Sequence, residues 1–554
     1  MIAPWSVGLA PHAVHAATLT LLCASLACAA SGDRPVPDGA HAATTITEDS
    51  AAIDSLAARY FAMGLAPGMA VAVVRGDSVV YLGGFGAADR ESGQPVTPAT
   101  IFYIASTTKA FTGLTAAILD DRGTLDLDAP LSRYVPDVRL QRPLSAEAIT
   151  IRALLTHTHG ISNDGPVVWR TAYTGEFTGN GQLVALLGEH PPARGGRAFE
   201  YGNIGYNIAG IAIDRALGRS WRDVLADEIF GPLGMTSTSA CVTRVPAEEL
   251  AMPYDVHAVG FGRIPYGKAD ANMQAAGGLV SSAVDMARWL EAQLNAGRVD
   301  GRQVLPAVAI AEAQRMQAPA NRTQRGMRQI GYALGWNLVL RGDDTLYVHG
   351  GGFPGFATLV SFLPRARLGV VVMANDGSLG GTLTDVLTRA IYARLVGAAP
   401  GADVPGDIEA EVEQVRRDIA ADRAQRAARS QVLPFPLEAY AGVYENPSYG
   451  TLELRSVNGR LEARAGAASS PVEVFDATRN RLRVELTGRG TVMDVEMRNG
   501  RATRLTLQGN TFVRRTSRNL DGLSPADAFS ASPASGGHVC APGAADASEQ
   551  AETP

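Results

Sequence analysis

Between about residues 51 and 397, strand patterns stand at both ends of the sequence and helical patterns fill the middle. Met69–Val74 (MAVAVV), a turn at Arg75-Gly76-Asp77 and Ser78–Leu82 predict a β-hairpin. Near the other end, Thr345–His349, Ala357–Phe362 and Gly369–Met373 predict three further strands. Thr107–Asp121, Ile204–Leu217 and Ala283–Leu294 carry helical periodicity. Strands supplied by both ends of one unit favour an antiparallel sheet closed by the two termini and flanked by helices, not a series of βαβ crossovers. The expected fold class is therefore α/β in the α+β sense.

The chain has 554 residues, 46% of them hydrophobic and 19% charged, which supplies a large core and excludes general disorder. That length suits two to four domains. A net charge of −6 and 6% aromatic residues provide neither a basic field nor an aromatic–arginine stripe, so nucleic acid is not an expected partner. Lys and Arg together number 49, yet lysine occurs at Lys109 and Lys268 alone, which makes each of them informative.

Residues 1–30 predict a signal peptide, with an apolar stretch from Ala13 to Ala30 and a small-x-small site at Ala27-Cys28-Ala29. Its first residues depart from the usual pattern, carrying His12 and His15 and no Lys or Arg. Cys28 half-resembles a lipid-attachment cysteine, although Ser25 stands where an aliphatic residue is wanted. Export to the periplasm or outside, with a membrane-anchored lipoprotein as the variant, is the expectation. The four cysteines, Cys23, Cys28, Cys241 and Cys540, form no metal spacing, and a Cys241–Cys540 bridge is open in an oxidising compartment. Residues 31–50 read as a polar linker and 51–397 as the principal domain. Residues 398–432 read as a charged helical linker with a solvated face, 433–516 as a small β-barrel or sandwich, and 517–554 as a disordered tail.

The chemistry concentrates in three segments. In Phe102–Gly123, Ser106 reads as the N-cap of a helix and Lys109 falls one turn later on the same face. A helix N-terminus stabilises a developing alkoxide and disfavours an ammonium, so a desolvated lysine there can accept the hydroxyl proton. Taken alone, Ser-x-x-Lys is more often an ordinary capped helix. Tyr201 and Asn203, two apart before a helix, face one side of an extended backbone; the bland reading of Tyr201 is a half-buried aromatic. His349-Gly350-Gly351-Gly352 follows a strand, where bare backbone permits close approach of a substrate and exposes N–H donors. The bland reading there is a glycine-rich turn. A lipase-type oxyanion loop would need a Gly-x-Ser-x-Gly elbow, and the sequence has none.

Ser106-x-x-Lys109, Tyr201-x-Asn203 and His349-x-Gly351, in that order, resemble the serine β-lactamase and penicillin-binding-protein superfamily, in its class C-related branch. The flanks Leu154–Ile161 (LLTHTHGI) and Ala276–Ser282 (AGGLVSS) are similar to segments of that branch. The resemblance covers about residues 51–397 and implies an antiparallel sheet with an all-helical subdomain. It implies Ser106 as acylated nucleophile, Lys109 as proton acceptor and Tyr201 as partner acid or base. Asn203, His349 and Gly351 would bind substrate, and the Ser106 and Gly352 backbone N–H groups would hold the oxyanion. His349 departs from the lysine of true β-lactamases, and an imidazole anchors a carboxylate less well than an ammonium. That favours esterase or peptidase relatives over efficient β-lactam hydrolysis.

The implied function is an exported serine hydrolase acting on small esters or D-amino-acid peptides without cofactor or metal. A class C-like β-lactamase, a D-Ala-D-Ala carboxypeptidase and a catalytically silent binder of peptidoglycan fragments or a partner are the alternatives. His157 and His159 form a His-x-His pair that reads as packing, since no third zinc ligand is supported. Lys268 reads as a surface-loop residue. The C-terminal unit from Leu437 resembles the lipocalin-like domains appended to such hydrolases, either shaping substrate access or serving as a spacer.

Overall fold

The computed structural model describes residues 39–255, 262–264, 267–324, 327–398, 405–488, 490–515 and Cys540. The signal-peptide region and, apart from Cys540, the tail lie outside these residues. Ahead of the main body, Gly39–Phe61 forms helix α1, so the expected linker is helical from Gly39 onward. Its Ala-rich sequence explains this, because alanine has the highest intrinsic helix propensity.

The predicted hairpin forms as β1 (Gly68–Arg75) and β2 (Ser78–Asp89), followed by the short β3 (Gln94–Pro95). β4 (Ile101–Tyr103) leads into helix α2 (Thr108–Asp121), and α3 spans Ile204–Leu217. β5 (Val280–Ser282) pairs with β4 and runs into α4 (Ala283–Leu294). Six strands then follow: β6 (Ala318–Gln324), β7 (Met327–Tyr332), β8 (Asn337–Arg341), β9 (Asp344–Phe353), β10 (Phe356–Leu363) and β11 (Leu368–Ala374). The main sheet has nine strands in the order β6-β7-β8-β9-β10-β11-β1-β2-β3. β1 pairs antiparallel with β11, Val71 opposite Val372, so the two ends of the domain close one sheet as the sequence indicates.

β1 is buried along nearly its whole length because both faces are covered. Ala70, Ala72 and Val74 join the core beneath α2 and α4, while Met69, Val71 and Val73 pack with α5 (Leu379–Val396). The charged linker forms helix α6 (Pro405–Ala427). Its face is not wholly solvated: Val412 and Ile419 are buried in the same core as α5, which anchors the helix to the domain.

The C-terminal strands are β12 (Gly442–Asn446), β13 (Gly450–Val457), β14 (Arg460–Ala465), β15 (Ala468–Pro471), β16 (Glu473–Asp476), β17 (Arg481–Val484), β18 (Thr491–Arg498), β19 (Arg501–Leu507) and β20 (Asn510–Arg514). Their order is β15-β14-β13-β12-β20-β19-β18-β17-β16. β15 and β16 are consecutive in the chain yet stand at opposite edges, which requires the sheet to curl into a nearly closed barrel. Three of these strands, β15, β16 and β20, lie outside the segments Val443–Tyr444, Thr451–Leu454, Leu461–Ala463, Arg481–Leu486, Val492–Met497 and Ala502–Leu507 that read as strands in the sequence. The barrel grips the turn after Pro166: Trp169 Nε1 donates to the Tyr449 carbonyl at 3.1 Å and Arg170 Nε to the Ser448 carbonyl at 2.8 Å. Glu176 Oε2 accepts from the Thr451 amide at 3.0 Å.

Candidate active site

Ser106 does not cap α2. It lies in a 3₁₀ turn, Ala105–Thr107, and Thr107 takes the N-cap position without a side-chain bond. The preceding Ala105 has φ +48°, a left-handed conformation that costs an alanine roughly 1–2 kcal/mol. The surroundings impose it. Ile104 N–H is tied to Leu279 O at 3.0 Å, and Thr108 Oγ1 donates to Ala105 O at 2.6 Å. Local strain at such a turn is a recurrent feature of functional sites.

Lys109 is fully buried on α2, where Phe111 stacks on Trp289 at 3.9 Å. Its Nζ stands 2.7 Å from Ala276 O, 2.8 Å from Asn203 Oδ1 and 3.3 Å from Ser106 Oγ. The two carbonyl oxygens can only accept. A neutral amine therefore spends both N–H groups on them and turns its lone pair to Ser106, whose hydroxyl can donate. Burial lowers the Lys109 pKa to about 7, which makes that neutral amine accessible near neutrality.

Tyr201 and Asn203 converge on this lysine by a route other than strand alternation. Asn203 is helical, with φ −94° and ψ −27°, and sits at the N-cap of α3 without capping it. Asn163 caps the helix instead: its Oδ1 accepts from Asn203 N–H at 2.6 Å and Ile204 N–H at 3.2 Å. The Asn203 carboxamide is thus released to Lys109. Tyr201 is half-buried, and desolvation raises its pKa to about 12, with the Ser106 hydrogen bond and then the Arg322 charge pulling the other way. It remains a neutral phenol at ordinary pH.

His349, on β9, is 1% exposed. Its Nδ1 bonds the Gly335 carbonyl, so Nδ1 carries the proton and Nε2 accepts from Tyr201 OH at 3.1 Å. Gly335, at φ +94° and with its missing Cβ position 2.3 Å from Ala110 Cα, is a place that only glycine fits. The glycine run is not a turn but the end of strand β9. At Gly351 a Cβ would lie 2.1 Å from Ile104 O, so the bare backbone lets the strand approach the Ser106 turn. Gly352 is exposed, with open space where its side chain would be.

Sequence reasoning did not single out Asn163 or the aromatic wall. His157, at φ +60°, accepts from Gly202 N–H through Nδ1 at 3.4 Å. Its ring lies 4.7 Å from both Tyr201 and Tyr332. Burial, then the Lys109 charge, holds it well below the usual histidine pKa. His159 accepts from Ile161 N–H at 3.0 Å, and burial takes its pKa to about 4. His159 therefore buttresses its own loop, while His157 ties that loop to the Tyr201 segment. Asn163 lies in a short Ser-Asn-Asp-Gly turn with no period to mark it, and only its proximity in space reveals its partner. Among the described residues, the cluster that brings three metal-type donors together is Cys241, Asp270 and Cys540, and its two sulfurs are joined in a disulfide. Lys268, expected on the surface, is half-buried against Tyr103 and Phe353.

Comparison with known proteins accords with the fold. The chain is 28% identical over 340 residues to Protein flp of Staphylococcus aureus, covering 60% of this chain and 65% of that protein, just under two thirds of its length. It is 28% identical over 441 residues to Unguisins hydrolase ungD of Aspergillus violaceofuscus, covering 72% and 75% of the two chains. The crystal structure of a class C beta lactamase from Rhodobacter sphaeroides superposes with a TM-score of 0.50 at 25% identity, covering 62% of this chain and 99% of that one. The family model described as Beta-lactamase matches residues 53–393, and the chain belongs to that family.

Proposed function

We propose that this chain is an exported serine hydrolase that cleaves an ester or amide bond, in small esters or D-amino-acid peptides, through an acyl-enzyme on Ser106. The observation that carries it is the three-way contact of Lys109, which leaves one lone pair for one hydroxyl. Ser106 gives its proton to Lys109 as its oxygen bonds the substrate carbonyl carbon. The carbonyl oxygen becomes an oxyanion, for which the Ser106 and Gly352 N–H groups are the assigned donors. Collapse of that intermediate breaks the ester or amide bond, and the leaving group takes the proton from Lys109. Water then attacks the acyl carbon, giving a proton to the same amine; collapse of this second intermediate breaks the Ser106 Oγ–acyl bond, releases the acid and returns the proton from Lys109 to Ser106.

Tyr201, held neutral with its hydroxyl aimed at His349, serves as a donor rather than as the first base. A hydrolase name among the relatives supports hydrolysis as the reaction type. The Cys241–Cys540 disulfide supports export, since such bonds persist in oxidising compartments. The test is turnover of a panel of p-nitrophenyl esters, D-amino-acid amides and a chromogenic cephalosporin by the wild type and Ser106→Ala. Hydrolysis of an ester or amide that disappears in the variant supports the reading; equal rates in both proteins refute it.

A further inference from the structure

Lys268 is the chain's second lysine, and the mechanism above leaves it unused. Its Nζ donates to Ala172 O at 3.0 Å and Asn272 O at 2.9 Å. It also faces the Phe353 ring at 3.9 Å and the Tyr103 ring at 4.8 Å. Those two rings meet edge to face at 4.7 Å, and Tyr103 OH donates to Gly277 O, next to the Ala276 carbonyl that holds Lys109. Burial pushes the Lys268 amine below the ordinary lysine range. Among the described residues, its neighbours, two carbonyls and two π faces, nevertheless all accept, so a lone pair finds no donor there and the ammonium suits the cage.

The placement matters because of what the two rings belong to. Tyr103 ends β4, three residues before Ser106, and Phe353 ends β9, one residue after Gly352. These are the backbone segments that carry the two assigned oxyanion donors. Ala172 belongs to the Arg170–Thr174 turn that the C-terminal barrel grips through Arg170 and Thr174. We infer that Lys268 is a positioning residue, a cationic staple that fixes the end of β9 against the Ser106 turn and ties both to the turn on which the barrel is docked. It touches no reacting atom. Its effect on catalysis is the spacing of the Ser106 and Gly352 N–H groups, and this part rests on the proposed acyl-transfer reading.

The test compares full-length wild type, Lys268→Met, Lys268→Arg and Phe353→Leu. Displacing a catalytic donor by a fraction of an ångström to 1 Å costs about 10- to 100-fold. Lys268→Met is therefore expected to lower kcat on a p-nitrophenyl ester by that factor with KM within about twofold, whereas loss of fold alone lowers the active fraction and leaves the rate per folded molecule unchanged. Lys268→Arg, which keeps the cation, is expected to recover most of the rate. Lys268→Met combined with Phe353→Leu should be no worse than the more damaging single variant, because both remove one contact. Amide exchange supplies a readout independent of turnover: residues 351–353 and 103–106 should exchange faster in Lys268→Met. Unchanged exchange there, or a rate per folded molecule within twofold of wild type, overturns the inference. A wild type inert to every ester and amide of the panel refutes the proposed function, while the exchange result still decides the role of Lys268.

Discussion

Lys109 and Lys268 share a side chain and differ in the one neighbour that decides their chemistry. Lys109 has a hydroxyl as its third contact, so it can surrender a proton and face Ser106 as an amine; around Lys268 the contacts among the described residues all accept. The consequence for Lys109 is a pH profile. Below its pKa of about 7 the lone pair is occupied by a proton, so the acylation rate should fall as pH drops through 7 and level off above it. Pre-steady-state release of p-nitrophenol from pH 5 to 9 checks this, and a rate flat across pH 7 contradicts it. Tyr201→Phe removes the hydroxyl that links His349 to the serine's surroundings. A loss of roughly 10²–10⁴ in kcat is expected for a positioned proton donor, and a few-fold loss would remove Tyr201 from that role. Ser106 and Lys109 are legible in the sequence because they lie one helical turn apart. Their local geometry is not: Ser106 sits in a strained 3₁₀ turn instead of capping the helix, held by Leu279 from outside its own segment and by Thr108 from within it.

At the scale of elements, helices with strong ends were legible and strands at their weakest were not. Ile204–Leu217 stops at Gly218, with φ +65°, and Ala283–Leu294 starts where the Ser282 side chain accepts from Asp285 N–H, so both boundaries are written in local sequence. The strands β15 (ASSP) and β16 (EVFD) lack the polar–apolar alternation that marks β17 (RLRV) at the same length of four residues. Asn163 belongs to the same lesson, since its helix-capping role needs a partner some forty residues away. Asn163→Ala leaves two N–H groups of α3 unpaired and should cost about 1 kcal/mol. The free Asn203 side chain would then turn to its own helix end and abandon Lys109, so kcat should fall by about tenfold or more; urea denaturation and turnover together check both parts. Gly351→Ala drives a methyl into the Ile104 carbonyl and should cost about 1–3 kcal/mol, whereas Gly352→Ala meets open space and should leave stability within about 0.5 kcal/mol.

At the scale of the molecule, the sheet closed by both ends of the domain was legible, because strands in the first and last thirds of one unit have each other as partners. The docking of the barrel on the Trp169–Glu176 segment was not, since it uses main-chain carbonyls that any sequence supplies. The Cys241–Cys540 bridge joins residues 299 apart in sequence, and its removal in Cys241→Ser should lower stability by about 2 kcal/mol in thermal unfolding, with turnover on a small ester kept. The central claim, that this scaffold exists to acylate Ser106, is tested most directly by intact-protein mass after brief mixing with a short p-nitrophenyl acyl ester, beside Ser106→Ala. An added acyl mass that appears and decays in the wild type and never forms in the variant is the expected result. An equal adduct on Ser106→Ala, or none on a folded wild type that still releases p-nitrophenol, would contradict it.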